Sequence, residues 1–349
     1  MDRRFPITGH DQELTLERVA SFHNLFEAHK KAARGCPDSN EILEFDFHLE
    51  KKLLALKMQL LNGSYIPAFP RYFTLFDPKK RNIAVAPFRD RVVHHAVVNI
   101  LEPVFEKRFI FDSYASIKDK GTHRAVARAQ TFIRRCPWYA KADVKHYFDT
   151  INHDLLLAMM AKKVQDTGLL SLIEKIVKRA GNETTGLPIG NLTSQFFANL
   201  YLDSLDHYIK DGLGVRCYLR YMDDFVIFGW SQGQVTEQMK KAEIYCNDKL
   251  GLVLKKKALH IGKSAQGLTF LGMGIYPGTI RVRSVNRRRS IHRIYKKHRA
   301  WRIGKINEEK LAESMESVMA HLNHFSQTRV RPLEYFPNND KRNKGMSTS

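Results

Sequence analysis

A chain of 349 residues, 43% hydrophobic and 11% aromatic, is long enough to bury a large core and to build more than one lobe. Its 57 Lys and Arg against 36 Asp and Glu leave a net charge of +21, which repels itself unless an acidic partner neutralises it. Nucleic acid is the leading partner, ahead of a membrane surface; no apolar run approaches a membrane span, no secretory leader is legible, and the scattered Cys36, Cys136, Cys217 and Cys246 suit a reducing compartment rather than a zinc module.

In chain order, residues 11–34 and 41–62 carry helical patterning, and Gly63 is placed to cap the second helix. From Tyr65 to Pro87 short strands flank the basic turn Asp77-Pro78-Lys79-Lys80-Arg81. The pattern predicts helices from Arg89 to Arg108 and from Gly121 to Arg135, then a strand from Trp138 to Val144 that ends in an acid, Asp143. Helices over 153–164 and 169–180 precede a turn at Leu187-Pro188-Ile189-Gly190. Asn191 is a candidate cap for a helix running to about Ile209. A hairpin around Asp223–Asp224, a helix near 234–250, strands near 268–283 and two helices within 286–325 complete the expected order. The composition of the tail from about Pro332 is that of a disordered segment.

Tyr221-Met222-Asp223-Asp224 lies between two apolar runs, Cys217 to Leu219 and Phe225 to Phe228, which read as strands. Neighbouring residues of a continuous strand point to opposite faces. A tight turn at Met222–Asp223 instead brings both carboxylates to a hairpin tip, where holding divalent metal for two-metal phosphoryl transfer is the chemistry that most needs them. The bland reading, a solvated turn, is weakened by the apolar flanks. Asp143 lies about 80 residues upstream and, read alone, is better explained as a capping or turn aspartate. Residues 281–305 hold eleven Lys or Arg and no acid, including Arg287, Arg288, Arg289, Arg293, Lys296 and Lys297, with Tyr295 and Trp301 interleaved. As a helix this stretch offers a cationic face to a phosphate backbone.

The ordered segments Ala142-Asp143-Val144-Lys145-His146-Tyr147-Phe148-Asp149, Gly190-Asn191-Leu192-Thr193-Ser194, Tyr221-Met222-Asp223-Asp224 and Phe270-Leu271-Gly272 resemble the sequential motifs of reverse transcriptases over about residues 65–280. Within that family the chain is most similar to the enzymes of diversity-generating retroelements, through Leu187-Pro188-Ile189-Gly190-Asn191-Leu192-Thr193-Ser194-Gln195, Asp90 to His95 and Lys120 to His123. Intron-encoded relatives place Gln where Ile189 stands and Pro where Gln195 stands.

The resemblance implies an α+β right-hand polymerase: a helical segment over 1–62, fingers over 63–137, an antiparallel-sheet palm over 138–280 and a basic helical thumb over 281–331, with 332–349 as a tail. It implies Asp143 and Asp223 as ligands of two Mg²⁺ ions (Mn²⁺ as substitute), the Val144 carbonyl completing the shell, and Asp224 as a weaker ligand or electrostatic support. Lys79 and Arg81 take the place of triphosphate clamps, and Phe148 that of the steric gate against a ribose 2′-OH, although a core aromatic fits Phe148 as well. Ile189 and Gln195 belong to the nucleotide site. Lys255, Lys256 and Lys257 occupy the region of a lysine that protonates pyrophosphate. One departure is Ile117, where this group carries Arg. The implied partners are dNTPs, a structured template RNA, an RNA–DNA duplex and a small basic accessory protein forming a ring; the implied setting is the cytoplasm of a bacterium, or a phage, with no membrane. The rivals are a retron, group II intron-like or antiphage reverse transcriptase, an RNA-templated RNA polymerase, and a non-catalytic RNA-binding protein on a polymerase scaffold.

Overall fold

The computed structural model describes residues 13–35, 39–76, 80–180 and 184–323. Cys36, Lys79 and the tail from Pro332 lie outside the described residues. The chain divides into two compact units, one of residues 1–125 with 140–261 and one of 126–139 with 262–349.

The first unit opens on four helices, α1 (Leu16–Val19), α2 (Phe22–Ala33), α3 (Asn40–Phe47) and α4 (Leu49–Leu61). Two continuous helices are expected from the sequence, and the structure breaks each of them once. Ser21 turns its hydroxyl onto the Asn24 amide and so starts α2 afresh. His48, at φ −121°, separates α3 from α4. Gly63 follows α4 at φ +73°, the left-handed position that favours glycine. Strands β1 (Arg71–Leu75) and β2 (Arg81–Val85) form an antiparallel hairpin with Arg71 opposite Val85. Helix α5 (Phe88–Phe105) packs on α2; its first turn is anchored by buried Asp90, which accepts from the Tyr65 hydroxyl at 2.9 Å and the Ala68 amide at 2.7 Å.

Helix α6 (Thr122–Arg135) leads into β3 (Trp138–Asp143), followed by α7 (Tyr147–Thr150), α8 (His153–Ala161), α9 (Thr167–Ala180) and α10 (Leu192–His207). Strands β4 (Tyr218–Tyr221) and β5 (Asp224–Gly229) come next, then α11 (Gln232–Leu250) and β6 (His260–Lys263). The four-stranded sheet has the order β4-β5-β3-β6. Its core residues Tyr218, Leu219, Phe225, Val226 and Ile227 are fully buried, as is Tyr201 of α10. Asn191 does stand at the start of α10, but its side chain does not cap that helix. Its Oδ1 instead accepts from the Ala86 amide at 3.4 Å, so it ties α10 to the residue after β2.

Asp203 of α10 is almost wholly buried, with Oδ1 lacking a hydrogen bond. Burial first, and then the Asp206 charge, push its carboxyl up to about 6. A raised folded-state value means the native protein holds the extra proton, so its penalty is absent in acid, grows as pH rises through about 4 to 6, and is complete above that. Asp203→Asn is therefore expected to stabilise the fold at pH 8, by at most about 3 kcal/mol. Urea denaturation at pH 8 and pH 4.5 checks this: the gain should shrink at the lower pH.

The second unit contains most of α6, a three-stranded sheet of β7 (Leu268–Phe270), β8 (Met273–Ile275) and β9 (Ile280–Val282), and the helices α12 (Ser284–Arg302) and α13 (Glu308–Asn323). Phe270 pairs with Met273 across a two-residue turn whose members, Leu271 and Gly272, both have positive φ. That is the sign pattern of a type I′ turn, which matches the strand twist. Gln130 and Arg134 of α6 donate to the carbonyls of Tyr276 and Pro277 at 3.1 and 2.6 Å. Helices α12 and α13 meet through Ile294 and Met319, backed by Val282, Met315 and Val318. No described helix is long and apolar enough to cross a membrane.

Candidate active site

Tyr221 pairs with Asp224, so Met222 and Asp223 are the two central residues of the β4–β5 turn. Met222 has φ +54° and Asp223 does not share the positive sign. This is the pattern of a type II′ turn, whose first central position usually belongs to glycine. A methionine there costs about 1–3 kcal/mol and persists only when its surroundings hold it. Both turn carbonyls are held: the Val144 amide donates to Asp223 O at 3.2 Å, and Arg220 Nη1 donates to Met222 O at 3.2 Å.

The Val144 contact sets the end of β3 against the turn and brings Asp143 and Asp223 into electrostatic contact. Burial and then the Asp143 charge raise the Asp223 carboxyl above the usual range, while Arg81 and Lys255 act in the opposite sense. Asp224 has a lysine partner. Its Oδ2 lies 3.0 Å from Lys141 Nζ and its buried Oδ1 has no hydrogen-bond partner. Burial pushes its carboxyl up to about 7 despite Lys141. Lys141 and Asp143 are two apart on β3 and so share a face. Asp143 and Asp223 also raise the Asp224 carboxyl, so the three acids form one electrostatically coupled group in which Asp224 is paired with Lys141.

Among the described residues no group of three or more His, Cys, Asp or Glu side chains is gathered to hold a metal unaided. Mg²⁺ is ordinarily held by one or two carboxylates together with substrate phosphates. Two half-buried carboxylates within electrostatic reach of each other fit that donor set, with substrate oxygens as the remainder. Lys255 is distinguished from its neighbours: its amide donates to Asp143 O at 2.8 Å, whereas Lys256 and Lys257 are exposed on a 3₁₀ turn.

The loop before α10 joins this region to the β1–β2 hairpin. The Ala84 amide donates to Ile189 O at 2.7 Å, and Gly190, at φ +123°, lies against Ala84. Ile189 is half-buried, and Arg81 is exposed at the start of β2. Phe148 is half-buried on α7, its carbonyl accepting from the Leu187 amide at 2.7 Å. Gln195 Oε1 accepts from Ser116 Oγ at 3.1 Å. Lys120 donates to the carbonyls of Phe111 and Ser113 at 2.7 and 2.9 Å, which makes it a brace for that loop's backbone. Arg287, Arg288, Arg289, Arg293, Lys296 and Lys297 are all exposed on α12, in the second unit.

Lys141, Asn199, Asp206 and Arg220 were not among the residues singled out from the sequence. Arg220 did leave a signal there: an arginine directly after the apolar run Cys217 to Leu219, on the same expected strand, must either face water or find a buried counter-ion.

The model of the family described as reverse transcriptase (RNA-dependent DNA polymerase) matches residues 77–275, more than half of the chain. The chain belongs to that family. Among curated proteins, this reverse transcriptase is 26% identical over 272 residues to protein YkfC of Escherichia coli, covering 64% of this chain and 71% of YkfC. It is 27% identical over 199 residues to the group II intron-encoded protein LtrA of Lactococcus lactis, covering 54% of this chain but 33% of LtrA. Among solved structures, a telomerase from Candida albicans in complex with a fragment of telomeric RNA aligns with TM-score 0.46 and 12% identity, covering 74% of this chain and 54% of that one. The α+β class, with its short sheet and mainly helical remainder, is that of the family's right-hand polymerase fold.

Proposed function

We propose that this reverse transcriptase copies a structured template RNA into error-prone cDNA, with template adenines as the miscopied positions, for a diversity-generating retroelement. The observation that carries the polymerase reading is the convergence of Asp143 and Asp223 across the Val144–Asp223 hydrogen bond. These two carboxylates would hold two Mg²⁺ ions with the Val144 carbonyl, Asp224 supporting them through its lysine-paired charge. Divalent metal held there would supply the Lewis acidity that a primer 3′-OH and a leaving pyrophosphate need.

The chain's own groups supply the rest. Arg81 and Lys79 would hold the triphosphate, Arg in the bidentate manner its fork allows. Phe148 would crowd a ribose 2′-OH and so favour dNTPs. Lys255, placed beside Asp143 and felt electrostatically by Asp223, is the lysine that would give a proton to pyrophosphate. Arg287, Arg288, Arg289, Arg293, Lys296 and Lys297 would follow the backbone of an RNA–DNA duplex by shape rather than sequence. In this reading residues 63–137 act as fingers, 138–280 as palm and 281–331 as thumb. A small basic ring-forming protein and the template RNA are the partners, in a bacterial cytoplasm.

Ile189 supports the mutagenic subtype. Its backbone is tied to Ala84, so a substitution there changes the side chain more than the loop. Isoleucine offers no donor or acceptor to a base, and one polar contact of about 1 kcal/mol changes discrimination several-fold. Ile189→Gln is expected to lower misincorporation opposite template adenine several-fold without abolishing synthesis. Sequencing of the cDNA checks it, and an unaltered adenine error rate removes Ile189 as the source of the errors. The likeness to LtrA favours a second reading, a group II intron-type enzyme. That reading expects no excess of errors at adenine in the unaltered protein. Primer extension on an RNA template with Mg²⁺ tests the activity itself: dNTPs are used, rNTPs are rejected, and Asp223→Asn is inactive. Equal use of rNTPs would remove Phe148 as a gate.

A further inference from the structure

Under the metal-holding turn lies a buried ion pair to which the function above gives no role. Arg220 and Asp206 are both fully buried, 2.6 Å apart at Nη2 and Oδ2. Every N–H of the guanidinium is used. Nε donates to both Asp206 oxygens at 2.8 and 2.9 Å, and Nη2 to Asp206 Oδ2 and the Asn199 carbonyl. Nη1 donates to Asn199 Oδ1 at 3.1 Å and to Met222 O at 3.2 Å. Asp206 also accepts from the Tyr218 hydroxyl at 2.7 Å, and Asn199 Nδ2 donates to Ala115 O at 2.7 Å. The backbone of Arg220 is fastened as well, its amide to Asp112 O and its carbonyl to the Tyr114 amide.

We infer that Arg220 is a positioning residue for the active-site turn: held by Asp206 and Asn199, its guanidinium fixes the Met222 carbonyl and thereby the direction in which Asp223 presents its carboxylate. The inference rests on the proposed role of Asp223 and extends it. A well-packed apolar pair fills a core without the desolvation cost of two charges. What the ion pair adds is a rigid, directional donor at the carbonyl of the turn's strained residue. The turn is then clamped from two sides, by Arg220 at residue 222 and by the Val144 amide at residue 223. Lysine, a compact point charge without the planar fork, cannot serve Asp206, Asn199 and Met222 together.

The test uses the full chain with Arg220→Lys, Asn199→Ala and Asp223→Asn. Each variant is followed by thermal melting, by Mn²⁺ binding in electron paramagnetic resonance, and by kcat and KM for dTTP on a primed poly(rA) template. Folded Arg220→Lys is expected to bind Mn²⁺ about tenfold more weakly, as when other supports of metal ligands are removed. Its kcat should fall about a hundredfold, the penalty of a small misplacement, with KM for dTTP nearly unchanged. Asn199→Ala, which loosens the same guanidinium without stranding a charge, should shift both quantities in the same direction by less. A purely structural role moves the melting temperature and leaves Mn²⁺ affinity and kcat of the folded protein at wild-type values; that result in Arg220→Lys overturns the inference. If Arg220→Lys does not fold, wild-type Mn²⁺ affinity and kcat in Asn199→Ala overturn it. The Asp223→Asn arm reports on the underlying function alone: unchanged Mn²⁺ binding there means the turn is not a metal centre, whatever Arg220 does.

Discussion

Asp223→Asn is expected to abolish primer extension and, in the absence of metal, to raise the melting temperature. Both effects have one origin. Asp223 is a half-buried carboxylate whose proton affinity is raised by burial and by Asp143. In the metal-free protein that arrangement is unfavourable, because the folded state carries repulsion the unfolded chain does not. A folded-state value above the unfolded one means stability falls as pH rises through the carboxylate range. The amide removes the penalty, so the gain in melting temperature should be seen at pH 7 to 8 and fade in acid. In a domain of this size each kcal/mol regained corresponds to about 2 °C or a little more. The same substitution removes one of the two carboxylates available to divalent metal. Losing several kcal/mol of transition-state stabilisation amounts to about a thousandfold or more in rate. If the turn holds Mg²⁺ as proposed, the ion should narrow the stability gap by binding the folded wild type more tightly than the variant. Calorimetry with and without Mg²⁺ at pH 5 and pH 8 measures all of this; a variant less stable than wild type at pH 8 without metal contradicts the account.

Gly190→Ala should cost about 4 kcal/mol, from a backbone that alanine does not readily adopt and from overpacking against a neighbouring strand. Gly190 has φ +123°, and an added Cβ would stand 2.6 Å from Ala84 O and 2.8 Å from Ile83 Cγ2. Ala84 cannot easily retreat. It is paired with Tyr72 across the β1–β2 hairpin, and its amide is bonded to Ile189 O. The strain therefore falls on the contact that joins the 187–190 loop to the strand bearing Arg81. Urea denaturation gives the stability, and hydrogen exchange at the Ala84 amide should show the lost protection. Activity should fall through dNTP KM, in keeping with the place of Arg81. Wild-type stability and protection in the variant would mean that this close approach is not maintained in solution.

The sequence made the Met222–Asp223 turn readable because alternating apolar runs around two acids leave few other arrangements, and the structure closes that turn between Tyr221 and Asp224. The strand ending at Asp143 and the basic helix after residue 281 were equally plain, since each follows from a local pattern of burial or charge. The helix interruptions were not: at Ser21 a cap competes with continuation by a margin that local composition does not display, and at His48 the break has no side-chain cap to announce it.

By itself the sequence determined the kinds of chemistry available: acids at strand ends, an excess of cationic side chains, and motifs in the order that the family shares. Only the tertiary structure decided how those groups are used. It assigned Asp224 to Lys141, set Lys255 rather than Lys256 or Lys257 beside Asp143, and placed the Arg220–Asp206 pair beneath the turn. The physical reason is range. Periodicity and turn chemistry act over a few neighbouring residues, whereas a pairing between charges distant along the chain depends on which backbones the fold brings together and on what burial then demands.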